Sequence, residues 1–433
     1  MKAIHSYYST KKTGIVKIFI LLILTFIITT SCDLTDPKKD KPKPEGYQED
    51  IPWPSLADSP WPMSLHDPQA TGRTKYIGPS QGVLEWYFDS LFNYSNAPVI
   101  GTDGTIYTCI PMSDKGLLAI DKNGKINWKF NIGRTMELTV APILTSDNTI
   151  FAGGGRNAVD TIYAVTTEGK LKWKKNLTHL HLNILQSSFI VDKIGNIYFA
   201  DVYNNVYCYD KNGNQLWITN LNNKIFHNTQ FSFSPDGKTL YSPGLSSSVI
   251  GISAETGEIV KEYGTHKTYI TPVIDNSGNI YTIVYNSSEK KYNFVCFNPE
   301  GNEKWSYSVW GNEYVDWNQP CIDKYGNFYF GEDTLYSISY KGKLNWKFPL
   351  DNAIIHSPII CDGNNDLYMG IHLKNSGGKA AFISVSGKGK LRWKLILEDD
   401  VYAIEFGGCP AIGLDNRIYC PTFISGYKLF SIK

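Results

Sequence analysis

The sequence predicts an all-β fold, an eight-bladed β-propeller of four-stranded antiparallel blades. Three observations predict it. A phrase of two strands around a Gly-containing turn recurs along the chain, as in LLAIDKNGKINWKF at 117–130. Its Trp copies, Trp86, Trp128, Trp173, Trp217, Trp305, Trp346 and Trp393, are spaced by 42, 45, 44, 88, 41 and 47 residues. One copy is divided between the two ends of the chain. A period in the forties with several short strands per repeat is a propeller signature.

Each blade is read from the inside outward as strands A to D. In the first repeat, APVIGTDGTIYTCI at 97–110 supplies A and B around a Thr-Asp-Gly turn. The phrase at 117–130 supplies C and D, with alternating apolar and polar positions flanking the turn. Strand B recurs eight times, from Ile106-Tyr107 to Ile418-Tyr419. The spacing of 88 covers two periods, and the Trp-less copy VIGISAETGEIVKEY at 249–263 fills the gap. Strand C also occurs eight times, ending in KLFSIK at 428–433, but only seven D strands follow a C strand. The missing one is VLEWYFD at 83–89, which carries Trp86 and has no A, B or C before it. Pairing 83–89 with 428–433 closes the ring and leaves only short outer edges.

The N-terminus reads as an export signal. Lys2, Lys11, Lys12 and Lys17 precede the apolar run IFILLILTFII at 18–28. Eleven residues fall short of the ~20 needed to span a bilayer, and basic residues before a short apolar run mark a secretory signal. The following Thr-Thr-Ser-Cys, ending in Cys32, resembles the bacterial lipoprotein processing site, with Thr29 where a large aliphatic residue is usual. That resemblance implies cleavage after residue 31 and a diacylglycerol on the Cys32 thiol. Residues 32–60, rich in Pro and charge, are expected to be a solvated tether. Residues 61–433 are then the propeller.

The formal charge is +1, and removing the four Lys of residues 1–31 leaves −3 from Cys32 onward. With no basic stripe, no nucleic-acid partner is expected. The seven remaining Cys are scattered over different repeats without CxxC or zinc-like spacing, which fits buried thiols serving as small apolar residues. No GxSxG, HExxH or phosphate-binding loop with its context is present.

The acidic residue, Gly turn and Trp of AIDKNGKINW at 119–128 resemble the PQQ-like, or quinoprotein-type, propeller repeat. The stretch WPMSLHDPQATGRT at 61–74 resembles the segment that leads into the ring in that family. The resemblance implies that the seven repeated Trp dock each blade on the next. Quinone-dependent dehydrogenases of the family hold PQQ over a channel-facing Trp, with a Ca²⁺ on carboxylate and amide oxygens. The short loops here leave no room for that site, so no cofactor and no enzymatic activity is expected.

Function is sought where repeats differ. The unequal D–A connections bring Trp310, Tyr314, Trp317, His227, Tyr269, His356, Tyr402 and Glu405 to the top face. These form either a binding rim or a cap over the channel mouth. His179 and His181, alternate residues of one strand, are a weak metal candidate; no metal is expected. The recurrent Asp at 121, 192, 210, 236, 275, 323 and 362 reads as turn chemistry. The whole resembles the outer-membrane assembly lipoproteins of the BamB type. That implies a monomeric, lipid-anchored, non-enzymatic scaffold in the bacterial cell envelope, at the outer membrane, binding envelope proteins through its top loops. The alternatives are a quinone- or sugar-binding enzyme or sensor at the channel mouth, and a surface glycan-binding protein.

Overall fold

The computed structural model describes residues 42–433 apart from 90–95, 111–115, 133–140, 157–158, 178–187, 202, 226–229, 287, 311–317, 375, 377–378, 398–404, 407 and 424–427. It is an eight-bladed propeller with no helix among the described residues. Blade 1 is the antiparallel sheet Val99–Ile100, Ile106–Ile110, Gly116–Ile120 and Ile126–Phe130. Blades 2 to 7 lie within residues 143–176, 190–220, 232–263, 273–310, 321–349 and 353–397. In blades 7 and 8 the innermost strand is in two pieces, Ala353–Ile355 with Ile360–Cys361 and Glu405–Phe406 with Ala411–Ile412.

Blade 8 takes strands from both ends of the chain. Leu84–Asp89 lies antiparallel to Lys428–Ile432, with Tyr87 opposite Phe430. Val83 and Lys433 exchange backbone hydrogen bonds of 2.8 Å in each direction. The ring therefore closes as the repeat count requires.

Burial follows strand position. The B and C strands of blade 1 are buried at every residue, whereas its D strand alternates between half-buried and exposed. An inner strand is covered on both faces by neighbouring blades, so it reads as a continuous apolar run; blades splay apart outward and leave the last strand half wet. A–B and C–D turns share one face, here the bottom, and B–C and D–A connections share the top.

Residues 46–60 depart from the tether expectation. The folded unit begins at Gly46, and 46–60 lies along the bottom of the ring. Trp53 is 8% exposed. Its Nε1 donates to the Val191 carbonyl at 2.8 Å, and its ring lies 5.5 Å from that of Phe233. Gln48 N donates to Lys324 O at 2.8 Å, and Gln48 Oε1 accepts from Asn276 N at 2.9 Å. Isolated anchors in a Pro-rich background have no period. The turns that the strap crosses satisfy its backbone, so local composition does not reveal the packing.

Candidate functional site

The repeated Trp occupy one geometry. Trp128 Nε1 donates to Thr167 O at 2.9 Å, Trp173 to Lys211 O at 2.9 Å, and Trp305 to Tyr340 O at 3.0 Å. Trp86, Trp217 and Trp346 donate likewise to Lys122, Ala254 and Gly387. Each acceptor lies in the C–D turn of the next blade, and each indole sits against that turn's glycine, which has positive φ. The Trp-less blade 4 substitutes Tyr263, whose hydroxyl donates to Pro299 O at 3.2 Å. Trp393 donates to Pro79 O at 3.2 Å. Pro79 precedes the first strand and so stands in for the turn that the divided blade lacks.

The A–B turns consume Asp192, Asp236, Asp275, Asp323 and Asp362 of the recurrent Asp, and the C–D turns consume Asp121 and Asp210. Asp323 Oδ1 accepts from Tyr325 N and Asn327 N, while Oδ2 accepts from Asn327 Nδ2 and from the Tyr329 hydroxyl at 2.9 Å. Asp192 and Asp275 repeat the pattern with Asn196–Tyr198 and Asn279–Tyr281. These carboxylates are saturated by donors from their own turns, which is turn chemistry rather than cation binding. Among the described residues no group of three or more His, Cys, Asp or Glu is placed to hold a metal. His179 and His181 lie outside the described residues.

Residues 61–72 fill the lower end of the channel, a feature that sequence reasoning missed. Their carbonyls accept from the innermost strands in ring order. Ile100 N donates to Trp61 O, Leu144 N to Pro62 O, Phe233 N to Pro68 O, Ile274 N to Gln69 O, Ile322 N to Thr71 O and Cys361 N to Gly72 O, at 2.6–3.0 Å. Trp61, Met63, Leu65 and Ala70 join the buried core. Leu65, His66 and Ala70 have φ of 59°, 75° and 55°, a left-handed conformation costing ~1–2 kcal/mol per residue. Asp67 holds the bend: Oδ1 accepts from Gln69 N at 3.1 Å and Thr71 N at 3.0 Å, and Oδ2 from the Thr71 hydroxyl. Burial alone would raise its carboxyl. The bond and charge of His66, the Thr71 hydroxyl and the Arg73 charge outweigh that and hold it below its ordinary value. A cavity of about 260 Å³ lies beside this bend, bordered by Trp53, Asp58, His66, Asp67, Lys75 and Tyr76. The HDPQATG run was the available signal, with Asp two and four residues before backbone donors.

Two rim candidates are described in full. Tyr269 is half-buried, with the Lys267 ammonium 5.2 Å from its ring centre. His356 is half-buried, its backbone N–H donates to Gly370 O at 2.9 Å, and its ring lies 6.1 Å edge-on from that of His372. Nearby, burial and then the Asp333 charge raise the Glu332 carboxyl. Trp310 ends the outer strand of blade 5 and Glu405 begins a short strand of blade 8; their side chains, like His227, Tyr314, Trp317, Tyr402 and Cys32, lie outside the description.

A quinone over a channel-facing Trp, with a carboxylate-held Ca²⁺, needs those residue types at the channel mouth. Two positions before Val99, Ile143, Ile190, Ser232, Val273, Cys321, Ile360 and Ala411 of the innermost strands stand Ala97, Ala141, Ser188, Gln230, Thr271, Gln319, Pro358 and Cys409. Among these described residues none is a Trp or a carboxylate, so they do not supply that group's ligands; Glu313, Asp316 and Trp317 of the blade 5–6 connection lie outside the described residues. The seven described Cys are buried free thiols. Burial pushes Cys109, Cys208, Cys296 and Cys409 up to about 12.

Comparison with known proteins agrees with the architecture. A family model described as outer membrane protein assembly factor BamB matches residues 72–263 and 113–324, together more than half of the chain. Quinohemoprotein alcohol dehydrogenase from Comamonas testosteroni superposes with a TM-score of 0.60 at 10% identity, over 86% of this chain and 80% of that one. BamB from Moraxella catarrhalis superposes with a TM-score of 0.53 at 10% identity, over 81% and 97%. A europium-containing methanol dehydrogenase gives 0.52 at 11% identity, over 73% and 90%. No curated protein matches the sequence at a significant level.

Proposed function

The chain belongs to the PQQ-like propeller family whose model is described as outer membrane protein assembly factor BamB, and from this premise we propose that it is a non-enzymatic scaffold for outer-membrane protein assembly. In this reading residues 1–31 are a signal peptide, Cys32 carries the lipid, and the propeller is held in the bacterial cell envelope. It binds envelope proteins through the top connections that carry Tyr269, His356 and the other unrepeated residues.

One observation carries the reading. The recurrent chemistry of the fold is consumed internally: Trp side chains join blades, Asp side chains close turns, and residues 61–72 occupy the channel floor. What remains for a partner is the unrepeated top rim on a rigid ring, which suits recognition of a protein surface. The likeness to dehydrogenases is one of fold and carries no chemistry to this chain.

The test is removal of the protein from its host, followed by measurement of folded outer-membrane β-barrels. A fall in their abundance, restored by the intact chain and not by one with altered top connections, is expected. Unchanged barrels would overturn the assembly role. Dye-linked alcohol or sugar oxidation by the purified protein with PQQ and Ca²⁺ would overturn the non-enzymatic reading.

A further inference from the structure

The C–D turns on the bottom face differ in charge: those of blades 1 to 3 mix both signs, and Lys261 Nζ of blade 4 donates to Glu300 O in the turn of blade 5. The C–D turns of blades 6 and 7, SYKGK at 339–343 and SGKGK at 386–390, carry Lys341, Lys343, Lys388 and Lys390, all exposed, and no acidic residue. The corresponding turns of blades 4 and 5, AETGE at 254–258 and NPEGN at 298–302, carry exposed Glu255, Glu258 and Glu300 and no Lys. Each basic pair flanks a joint glycine, Gly342 under Trp305 and Gly389 under Trp346. The ring therefore holds the four ammonium groups on fixed turns.

The folded unit also begins at this edge. Gly46 packs against the Tyr340 ring, its carbonyl abuts Gly326, and Gln48 N bonds to Lys324 O at 2.8 Å. Tyr47 and Tyr325 meet edge-on at 6.2 Å beside it, and Tyr325 is 43% exposed. The chain that leads back to Cys32 thus leaves the propeller at its basic edge. Residues 33–45, DLTDPKKDKPKPE, are what separates the two.

We propose that the bottom of blades 6 and 7 is a membrane-docking surface, with Lys341, Lys343, Lys388 and Lys390 set against anionic lipid headgroups. Charge complementarity and the point of chain entry both select a lipid surface. Lysines within a Debye length of an anionic leaflet attract it, and Tyr is the residue type that sits at headgroup level. A lipid on one end of a chain restrains distance; a fixed basic edge beside the point of entry also sets orientation. The acidic edge of blades 4 and 5 is then lifted from the surface, and the top rim faces away from the bilayer. The inference adds an orientation to the tethered reading of the function.

The test uses the mature chain, residues 32–433, carrying Cys32→Ala, so that neither a lipid nor the apolar run 18–28 is attached, with flotation on two kinds of vesicle. One is pure phosphatidylcholine and the other an equimolar mixture with phosphatidylglycerol. The variant K341Q/K343Q/K388Q/K390Q is expected to lose roughly tenfold or more of its partition onto the anionic vesicles, with an unchanged melting temperature. K388Q/K390Q should lose about half as much on a logarithmic scale, and E255Q/E258Q/E300Q should lose none. Raised salt should remove the difference between parent and variant. Equal partition of parent and Lys variants onto the anionic vesicles overturns the proposal, as does an equal fall on the neutral ones. Lipidation at Cys32 is tested separately by lipid-precursor labelling, so either reading can fail alone.

Discussion

Trp305 and Gly342 form one joint between blades 5 and 6. The indole donates to the carbonyl of Tyr340, two residues before the glycine. A Cβ added at Gly342 would lie 2.5 Å from the indole. The backbone there has φ of 76°. Gly342→Ala therefore combines left-handed strain with overpacking and should cost ~2–4 kcal/mol. Gly104 has φ of 83° and nothing within 4 Å of an added Cβ, so Gly104→Ala should cost only ~1 kcal/mol. Urea midpoints of the two variants measure the difference. Equal losses would mean that the contact contributes nothing beyond the backbone.

Trp53 fastens the strap. Trp53→Ala removes the bond to Val191 O and the packing on Phe233, and should cost ~3 kcal/mol. Brief proteolysis of the native protein should then cut within residues 46–60, which the parent resists. A parent already cleaved there would show that the strap is loose.

Asp67 predicts a dependence on pH. Its carboxyl is held below the ordinary value in the folded protein, so the charge stabilises the fold above the unfolded value near 3.9. That contribution disappears as pH falls through the lower folded value. Asp67→Asn should lower stability by ~1–3 kcal/mol at neutral pH and flatten the acid limb of the stability curve. An acid limb as steep in the variant as in the parent would assign the effect to other carboxylates.

The thiols should be silent. Cys109, Cys208, Cys296 and Cys409 are buried and pushed up to about 12, and the thiolate is the reactive form. Iodoacetamide at pH 8 should modify none of these four in the native protein and all of them in denaturant, as read by mass spectrometry. Rapid native modification of any one would show that its blade opens.

The periodic features were legible in the sequence because each repeat states them again. The seven Trp, the Gly turns, the recurrent turn Asp and the divided eighth blade all follow from counting. Trp53, Trp61 and His66 belong to no repeat. Trp53 packs on Phe233, far along the chain, and the strap also bonds to distant turns, as Gln48 N does to Lys324 O. A segment that is packed without periodicity has the composition of a solvated one, which is why 46–60 read as tether. Tyr269 and His356 stood out as unrepeated residues, but sequence carries no signal for the proximity of His372 to His356.

The division of blade 8 fixes an order of events during biosynthesis. Leu84–Asp89 is made before any other strand, and its partner Lys428–Ile432 is made last. Until residues 428–432 emerge, the early strand has no sheet to join. Residues 61–72 are older still, and they receive donors from blades 1, 2, 4, 5, 6 and 7 in the order in which those blades are synthesised. The nascent chain thus carries its own template early and gains its closing seam only once residues 428–432 have been made. A chain truncated by even its last few residues would keep the template and lose the seam.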